Sequence, residues 1–412
     1  MNVIDLFSGG GGLTEGFLRQ GFNTVAHVEM DTHACSTLRT RLFYHILNEN
    51  NIDDYYAYLK EEITLDQLFE DNYGLLNLPS SSVINQEINH DSENNIIKQI
   101  KELIGLQDIS HIDGIIGGPP CQAYSCAGRG RAFENMKKDP RNYLYVYYLS
   151  FLKEFNPDFF VFENVPGMLS AKTDIEIFPD FKKNVEKLGY NIDYELLFAN
   201  DFNVLQKRKR LIVIGHKDGK NYFDFSFDKK NNFEVWDVLK DLPKLNPGEG
   251  SDSPVAYTNK ISRYLKETNI RTKNDVVINH AARNHNDNDR KIYRLVIKAW
   301  NNNHQRIRYD ELPKEFTTHK NKKSFLDRFK IVAGDLEYSH TIMAHLSKDG
   351  HYFIHPDIDQ ARSITVREAA RLQSFPDNYK FEGPRTSQFK QVGNAVPPLM
   401  AERIAERIKK TL

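Results

Sequence analysis

The sequence predicts an α/β fold: a doubly wound sheet, then a second, smaller domain, then a segment that returns to the sheet. Three observations predict it. Short apolar, β-branched runs alternate with amphipathic stretches as far as His216. A glycine cluster, Gly9 to Gly12, follows the first such run. After His216 the composition shifts toward Asn, His, Lys and Pro, and the alternation stops. The boundaries fall at 1–217, 218–358 and 359–412.

Val3-Ile-Asp-Leu-Phe reads as the first strand, Ser8 to Gly12 as a tight turn, and 13–20 as a helix that Gly21 ends. Glycines let a backbone approach a ligand closely. The dinucleotide fingerprint nevertheless fails. Starting at Gly9 its last glycine falls on Thr14, and starting at Gly10 on Glu15. An adenosine-bearing ligand other than a nicotinamide dinucleotide is therefore expected. Thr24-Val-Ala-His-Val forms the second strand, and Glu29 at its end suits two ribose hydroxyls.

Residues 44–82 are polar and weakly periodic and read as an insertion with some helix. Val83-Ile-Asn-Gln-Glu-Ile is a third strand, with Glu87 near its end. Asp113-Gly-Ile-Ile is a buried strand stopped by glycines, and Pro119-Pro120 stiffen the turn after it. Cys121 follows at once. Ligands of open parallel sheets bind outside the carboxyl ends of the strands, so a thiol there is placed to act as a nucleophile. The alternative is a small buried apolar residue. The loop 122–141 carries Gly128, Arg129, Gly130, Arg131, Lys137 and Lys138. It reads either as a lid over an anionic substrate or as a surface loop.

A helix is expected over 143–155, a strand over 157–162 capped by Glu163-Asn-Val-Pro, and a helix over 175–188 stopped by Gly189. Two more strands lie at 194–198 and 211–214. Between them, strict alternation puts Gln206, Arg208 and Arg210 on one face. In the second domain 292–300 looks helical. Arg306, Arg308, Tyr309, His319, Lys320, Lys322 and Lys323 interleave cations with aromatics. From 261 to 330 there are 17 Lys+Arg against 8 Asp+Glu, in a chain whose net charge is −1. That asymmetry suits an anionic partner for this region. Thr365 and Glu368 form a capping box, and a final helix follows Gln391-Val-Gly-Asn-Ala-Val-Pro-Pro.

Three cysteines, Cys35, Cys121 and Cys126, argue against a disulfide framework, and none has metal-ligand spacing, so no metal site is expected. No apolar run approaches a membrane span, and the first residues do not read as a signal peptide.

Six signatures occur in one order: Asp5-Leu-Phe-Ser-Gly-Gly-Gly-Gly, Gly118-Pro-Pro-Cys-Gln-Ala-Tyr-Ser, Glu163-Asn-Val, Gln206-x-Arg208-x-Arg210, Arg367-Glu-Ala-Ala-Arg-Leu-Gln-Ser-Phe-Pro and Gln391-Val-Gly-Asn-Ala-Val-Pro-Pro. In them the chain resembles the DNA C5-cytosine methyltransferase family. They frame 1–216 and 360–412; the region between matches by position alone, as the family's target-recognition segment. The resemblance implies an S-adenosyl-L-methionine-dependent methyltransferase sheet in which Cys121 is the nucleophile and Glu163 meets N3 of a flipped cytosine. Arg208 and Arg210 would hold that base and position Glu163. Phe7, Gly9, Gly11, Gly12, Glu29, Pro120, Leu144 and Asn394 would line the cofactor pocket. Glu87 stands where the family usually reads adenine with Asp. Gln122, Ser125, Arg129, Arg131 and Gln206 would touch DNA. The implied partners are double-stranded DNA and a cognate restriction endonuclease acting on the same site. The protein is expected to be a monomer in the bacterial cytoplasm, beside the nucleoid.

The chemistry requires these groups. Carbon 5 of cytosine is a poor nucleophile until a thiolate adds to carbon 6 and turns the ring into an enamine. A proton supplied or shared at N3 stabilises that adduct. The base must leave the duplex to be reached. Two rivals fit less well. The family's tRNA-directed branch carries a Cys-Phe-Thr signature in its target domain, and this chain has no cysteine after Cys126. A non-catalytic DNA-binding relic would have no need of Cys121, Glu163, Arg208 and Arg210 together.

Overall fold

The computed structural model describes residues 1–120, 144–172, 175–225, 233–317 and 325–412. Its centre is a seven-stranded sheet. The strands are β1 (Asn2–Leu6), β2 (Asn23–Glu29), β3 (Val83–Asn85), β4 (Gly114–Gly117), β5 (Phe159–Asn164), β6 (Asn191–Phe198) and β8 (Lys209–His216), with the short β7 (Gln206–Lys207) outside the sheet. The sheet order is β3-β2-β1-β4-β5-β8-β6. The first five strands in that order are parallel, and β8 runs antiparallel to both β5 and β6. The carboxyl ends of β1, β2, β4 and β5 therefore lie side by side, where ligands of such sheets bind.

Both faces of the central sheet are covered, so β4, β5 and most of β8 are apolar rather than alternating, while the edge strand β6 stays half exposed. Ile4, Leu6, Ile115, Phe160 and Phe162 pack on one side with α6 (Glu93–Leu106), α7 (Leu144–Phe155) and α8 (Ile177–Lys187). Val3, Ile116, Val161, Ile212 and Ile214 pack on the other, against α1 (Gly12–Arg19) and the final helix α13 (Pro398–Thr411).

The expected insertion at 44–82 is more ordered than its sequence suggested. It is nearly all helix, made of the end of α2 (Thr32–Asn48), then α3 (Ile52–Leu59), α4 (Leu65–Asp71) and α5 (Tyr73–Ser81). Asp31 caps α2 through the amides of His33 and Ala34, and Thr64 with Gln67 forms a capping box on α4. Tyr55, Tyr56, Tyr58, Leu59, Leu68 and Leu76 share a small core with Ile278 from the second region.

Beyond His216 the chain has the short helix α9 (Arg263–Glu267) and the 17-residue α10 (Asp287–Asn303), with the two-residue strands β9 (Gly250–Ser251), β10 (His280–Ala281) and β11 (Ser339–His340). Ile292, Tyr293, Val296, Ile297 and Trp300 of α10 form one core with Tyr309, Leu312, Phe329 and Ile331. A second core joins Val235, Leu239, Leu265, Ile342 and Phe353 to α11 (Val366–Leu372), Phe375, Tyr379 and α12 (Arg385–Asn394). Thr365 and Glu368 cap α11 as the sequence predicts. Among the described residues no helix is long and apolar enough to cross a membrane.

Candidate active site

The first wall of the site is the turn after β1. Phe7, Gly9 and Gly11 all have positive φ (58°, 55° and 77°), and Gly11 starts α1. A side chain on Gly9 would meet nothing within 4 Å, so its backbone faces open space. The C-terminal segment braces the turn from behind. Tyr379 donates its hydroxyl to the Gly10 carbonyl at 2.7 Å, and a Cβ on Gly12 would sit 2.2 Å from the Val396 carbonyl. Ala395, next to Asn394, also abuts Gly12.

Glu29 closes this wall. One carboxylate oxygen accepts the Gly9 amide and the other the Asp31 amide, both at 2.8 Å. Burial raises the Glu29 carboxyl above its ordinary value, against the pull of those two amides. Cys35, nearby, fits the ordinary description of a free cysteine. It is buried, its Sγ lies 3.3 Å from the Glu29 carbonyl, and burial pushes its thiol up to about 12.

The second wall is the turn after β4. Gly117 has φ 151°, and a Cβ there would lie 2.1 Å from the Leu6 carbonyl, so only glycine lets β4 approach β1 this closely. A Cβ on Gly118 would lie 2.7 Å from Glu163 Oε2. Asn164, buried, donates Nδ2 to the Pro119 carbonyl at 3.3 Å and accepts the Val165 amide at 2.9 Å. The Pro119-Pro120 turn is thus pinned to the end of β5, directly before Cys121. Cys121 itself, with Gln122, Ser125, Arg129 and Arg131, lies outside the described residues, as do His319, Lys320, Lys322 and Lys323.

Glu163 is the penultimate residue of β5, beside β8. Its Oε1 is 2.7 Å from Arg210 Nε, and the two side chains are 14% and 15% exposed. That is a close ion pair still open to a ligand on one side.

Two expected residues stand elsewhere. Arg208 is fully buried; it donates Nη1 to the carbonyls of Ile342 and Gly393 and Nη2 to that of Asn394, and it does not reach Glu163 in any of these bonds. Gln206, expected to touch DNA, is also fully buried. Its amide nitrogen goes to Leu372 O and Gln373 Oε1, and its oxygen accepts the Ile342 amide. The physical reason lies in what packs there. Arg208 N donates to Gln206 O across Lys207, and the residues on either side of this bend share one buried face. Ile342 and the segment 372–394 supply the partners on that face, while Arg210, on β8, meets Glu163 instead.

Leu144 is half-buried at the start of α7. Asn394 is exposed at the end of α12. Glu87 is exposed two residues beyond β3, its carbonyl taken by the Ser92 hydroxyl. Asn164 and Tyr379 carry the site without having been singled out. Asn164 sits inside the Glu163-Asn-Val signature, whereas nothing local marks Tyr379.

Two other features lie apart from this cleft. A groove of about 1000 Å³ between α1, α2 and α13 is lined by Glu15, Arg41, His45, Glu402 and Arg403, and by none of the residues above. At the amino ends of β4 and β5, His111, Asp113 and Asp158 each bring a ligand atom within 4.8 Å of the others. His111 is already bonded to Asp158, and Asp113 accepts the Asn2 amide.

A family model described as C-5 cytosine-specific DNA methylase matches residues 1–68 and 81–410. The unmatched 69–80 fall within the helical insertion. The chain is 42% identical to the type II methyltransferase M.Bpa9945I of Bacillus paralicheniformis, over 99% of this chain and 98% of that protein. It is 32% identical to the type II methyltransferase M1.HphI of Haemophilus parahaemolyticus, over 100% and 87%. Among solved structures, a protein described as a prophage-encoded DNA modification methyltransferase from E. coli superposes with TM-score 0.65 at 26% identity, over 100% and 99% of the two chains. The S. pombe Dnmt2 methyltransferase shares the fold, with TM-score 0.53 at 14% identity over 100% and 99%.

Proposed function

The chain belongs to the C-5 cytosine-specific DNA methylase family and methylates DNA cytosine at carbon 5; from that premise we propose how its own residues do so. The Glu163–Arg210 pair beside the Gly118-Pro-Pro turn carries the reading, because it sets a carboxyl and a cation beside Gly118, three residues before Cys121.

The donor is S-adenosyl-L-methionine. The fit rests on the bare Gly9 backbone facing open space and on the Glu29 carboxylate beside it, which suits ribose hydroxyls. When bound, this cofactor supplies an electrophilic methyl group on a sulfonium. Phe7, Gly9, Gly11, Gly12 and Glu29 would hold it, with Pro120, Leu144 and Asn394 completing the pocket and Glu87 reaching toward the adenine.

The Cys121 thiolate adds to carbon 6 of a cytosine flipped from the duplex, which makes carbon 5 nucleophilic. Glu163 holds a proton at N3 as charge builds there, and Arg210 fixes Glu163 and faces the base. After methyl transfer a water takes the proton from carbon 5; the electron pair of that carbon–hydrogen bond re-forms the ring double bond and expels the Cys121 sulfur as thiolate. Gln122, Ser125, Arg129 and Arg131 hold the opened DNA, and the region 218–358 selects the sequence. Like its type II relatives, the protein acts as the modification enzyme of a restriction–modification system, paired with an endonuclease for the same site. It works as a monomer in the bacterial cytoplasm.

Labelled methyl transfer to duplex DNA and to tRNA tests the reading, with bisulfite sequencing of the DNA product. Transfer to cytosine in duplex DNA alone is expected; transfer confined to tRNA would overturn it.

A further inference from the structure

Ile342 is gripped at both ends of its backbone by one short run of chain, Gln206 to Arg208, that leads into β8. Its amide donates to Gln206 Oε1 at 2.8 Å, and its carbonyl accepts from Arg208 Nη1 at 2.9 Å. Gln206 reaches the other way to Leu372 and Gln373, and Arg208 to Gly393 and Asn394. Neither side chain is accessible to solvent. Around this clasp β11 runs parallel to β7, with Ser339 N donating to Leu205 O at 2.9 Å and Thr341 Oγ1 to Lys207 O at 2.7 Å. The fit leaves no slack, since a Cβ on Gly393 would lie 2.2 Å from the Ala344 amide.

Two residues past the clasp, Arg210 meets Glu163. One run of chain thus joins the strap 339–344 to the catalytic carboxyl. Directly after Ile342, Met343 is 41% exposed, and His345 is exposed two residues on. The surroundings are cationic. Lys207 is exposed beside the strap, and burial together with the charges of Lys330 and Arg306 holds the His340 imidazole down to about 3. A buried clasp that presents Met343, with His345 just beyond it, at a cationic rim is built to fix a reading edge against DNA.

We propose that Gln206 and Arg208 are positioning residues for target selection. They hold the strap 339–344 so that Met343, its exposed side chain, meets the bases beside the flipped cytosine. The proposal rests on the methyltransferase reading and on target choice by 218–358.

Gln206→Leu keeps the size of the side chain and removes the grip on Ile342. Wild type and variant are given a random duplex library and S-adenosylmethionine, and methylated cytosines are read by bisulfite sequencing. The ratio of methylation at the preferred sequence to that at sequences one base away should fall about ten-fold, the scale of one lost base contact. The loss in kcat/KM should lie in KM for DNA, with cofactor affinity unchanged. If Gln206→Leu does not unfold cooperatively, Thr341→Val, which removes only the strap's bond to Lys207, carries the same test with a smaller expected drop. An unchanged ratio with kcat lowered equally on every sequence would make the clasp merely structural and overturn the proposal. A wild type that methylates no duplex at all would overturn the underlying reading instead.

Discussion

Glu163 and Arg210 form an ion pair at 2.7 Å across the antiparallel β5–β8 junction, where Glu163 faces Ile212 and Asn164 faces Leu211. Sheet register, rather than a flexible loop, sets their separation. A cation fixed on Glu163 orients the carboxyl toward the space after Gly118 and leaves its second oxygen for a ligand. Arg210→Met should lower kcat for methyl transfer about 10²-fold. Arg210→Lys should restore only part of it, because an ammonium cannot reproduce the planar fork. Single-turnover transfer of labelled methyl to duplex DNA measures both.

Asn164 ties the Pro119 carbonyl to the end of β5. Asn164→Ala strands that carbonyl and the Val165 amide, so stability should fall by about 1–2 kcal/mol in urea unfolding. The turn before Cys121 also loosens, and kcat should drop about ten-fold or more, since small misplacements of a reacting group are costly.

Glu29 predicts a pH dependence. Its carboxyl is raised by burial, so in the folded chain it takes up a proton at a higher pH than the ordinary 4.5. Its contribution to stability is therefore most favourable below 4.5 and is lost as pH rises through the folded value. Cofactor affinity runs the opposite way and should weaken as pH falls through that same value. Titration calorimetry of S-adenosylmethionine binding across this range checks the sign, and Glu29→Ala should abolish the dependence and weaken binding.

Glu15 is fully buried beneath the glycine turn, where burial alone would raise its carboxyl. Arg41 first, then His45 and Arg19, outweigh that and hold it well below its ordinary value. Arg41 also stacks on Tyr379, whose hydroxyl holds Gly10. Arg41→Met should cost about 3–5 kcal/mol at pH 7, because it leaves a buried charge without its partner. In the native chain this stabilisation is present above 4.5 and is lost as pH falls through the depressed folded value. The gap between variant and native should thus narrow in acid, which unfolding curves at pH 7 and pH 4 measure.

Strands and glycine turns were legible because their signals are local. Val3 to Phe7, Gly9 to Gly12 and Gly114 to Gly117 announce apolar runs broken by glycine, and the strand ends placed Glu29 and Glu163 correctly. The helices of the insertion were not. Helices α3 to α5 are 7–9 residues each, too short for a clear 3.6-residue period, and much of their burial falls on tyrosines. The partners of Gln206 and Arg208 were not legible because they lie far along the chain; Ile342 is 134 residues from Arg208, and Gly393 is 185. No periodicity records such a contact. Tyr379 escaped for the same reason, being 369 residues from Gly10.

Replacement of the sulfur of Cys121 by oxygen tests the covalent mechanism most directly. Labelled methyl transfer and duplex binding are measured together for Cys121→Ser and for the native protein. The account predicts no detectable transfer with duplex affinity largely kept. Near-native turnover by the serine variant would contradict it.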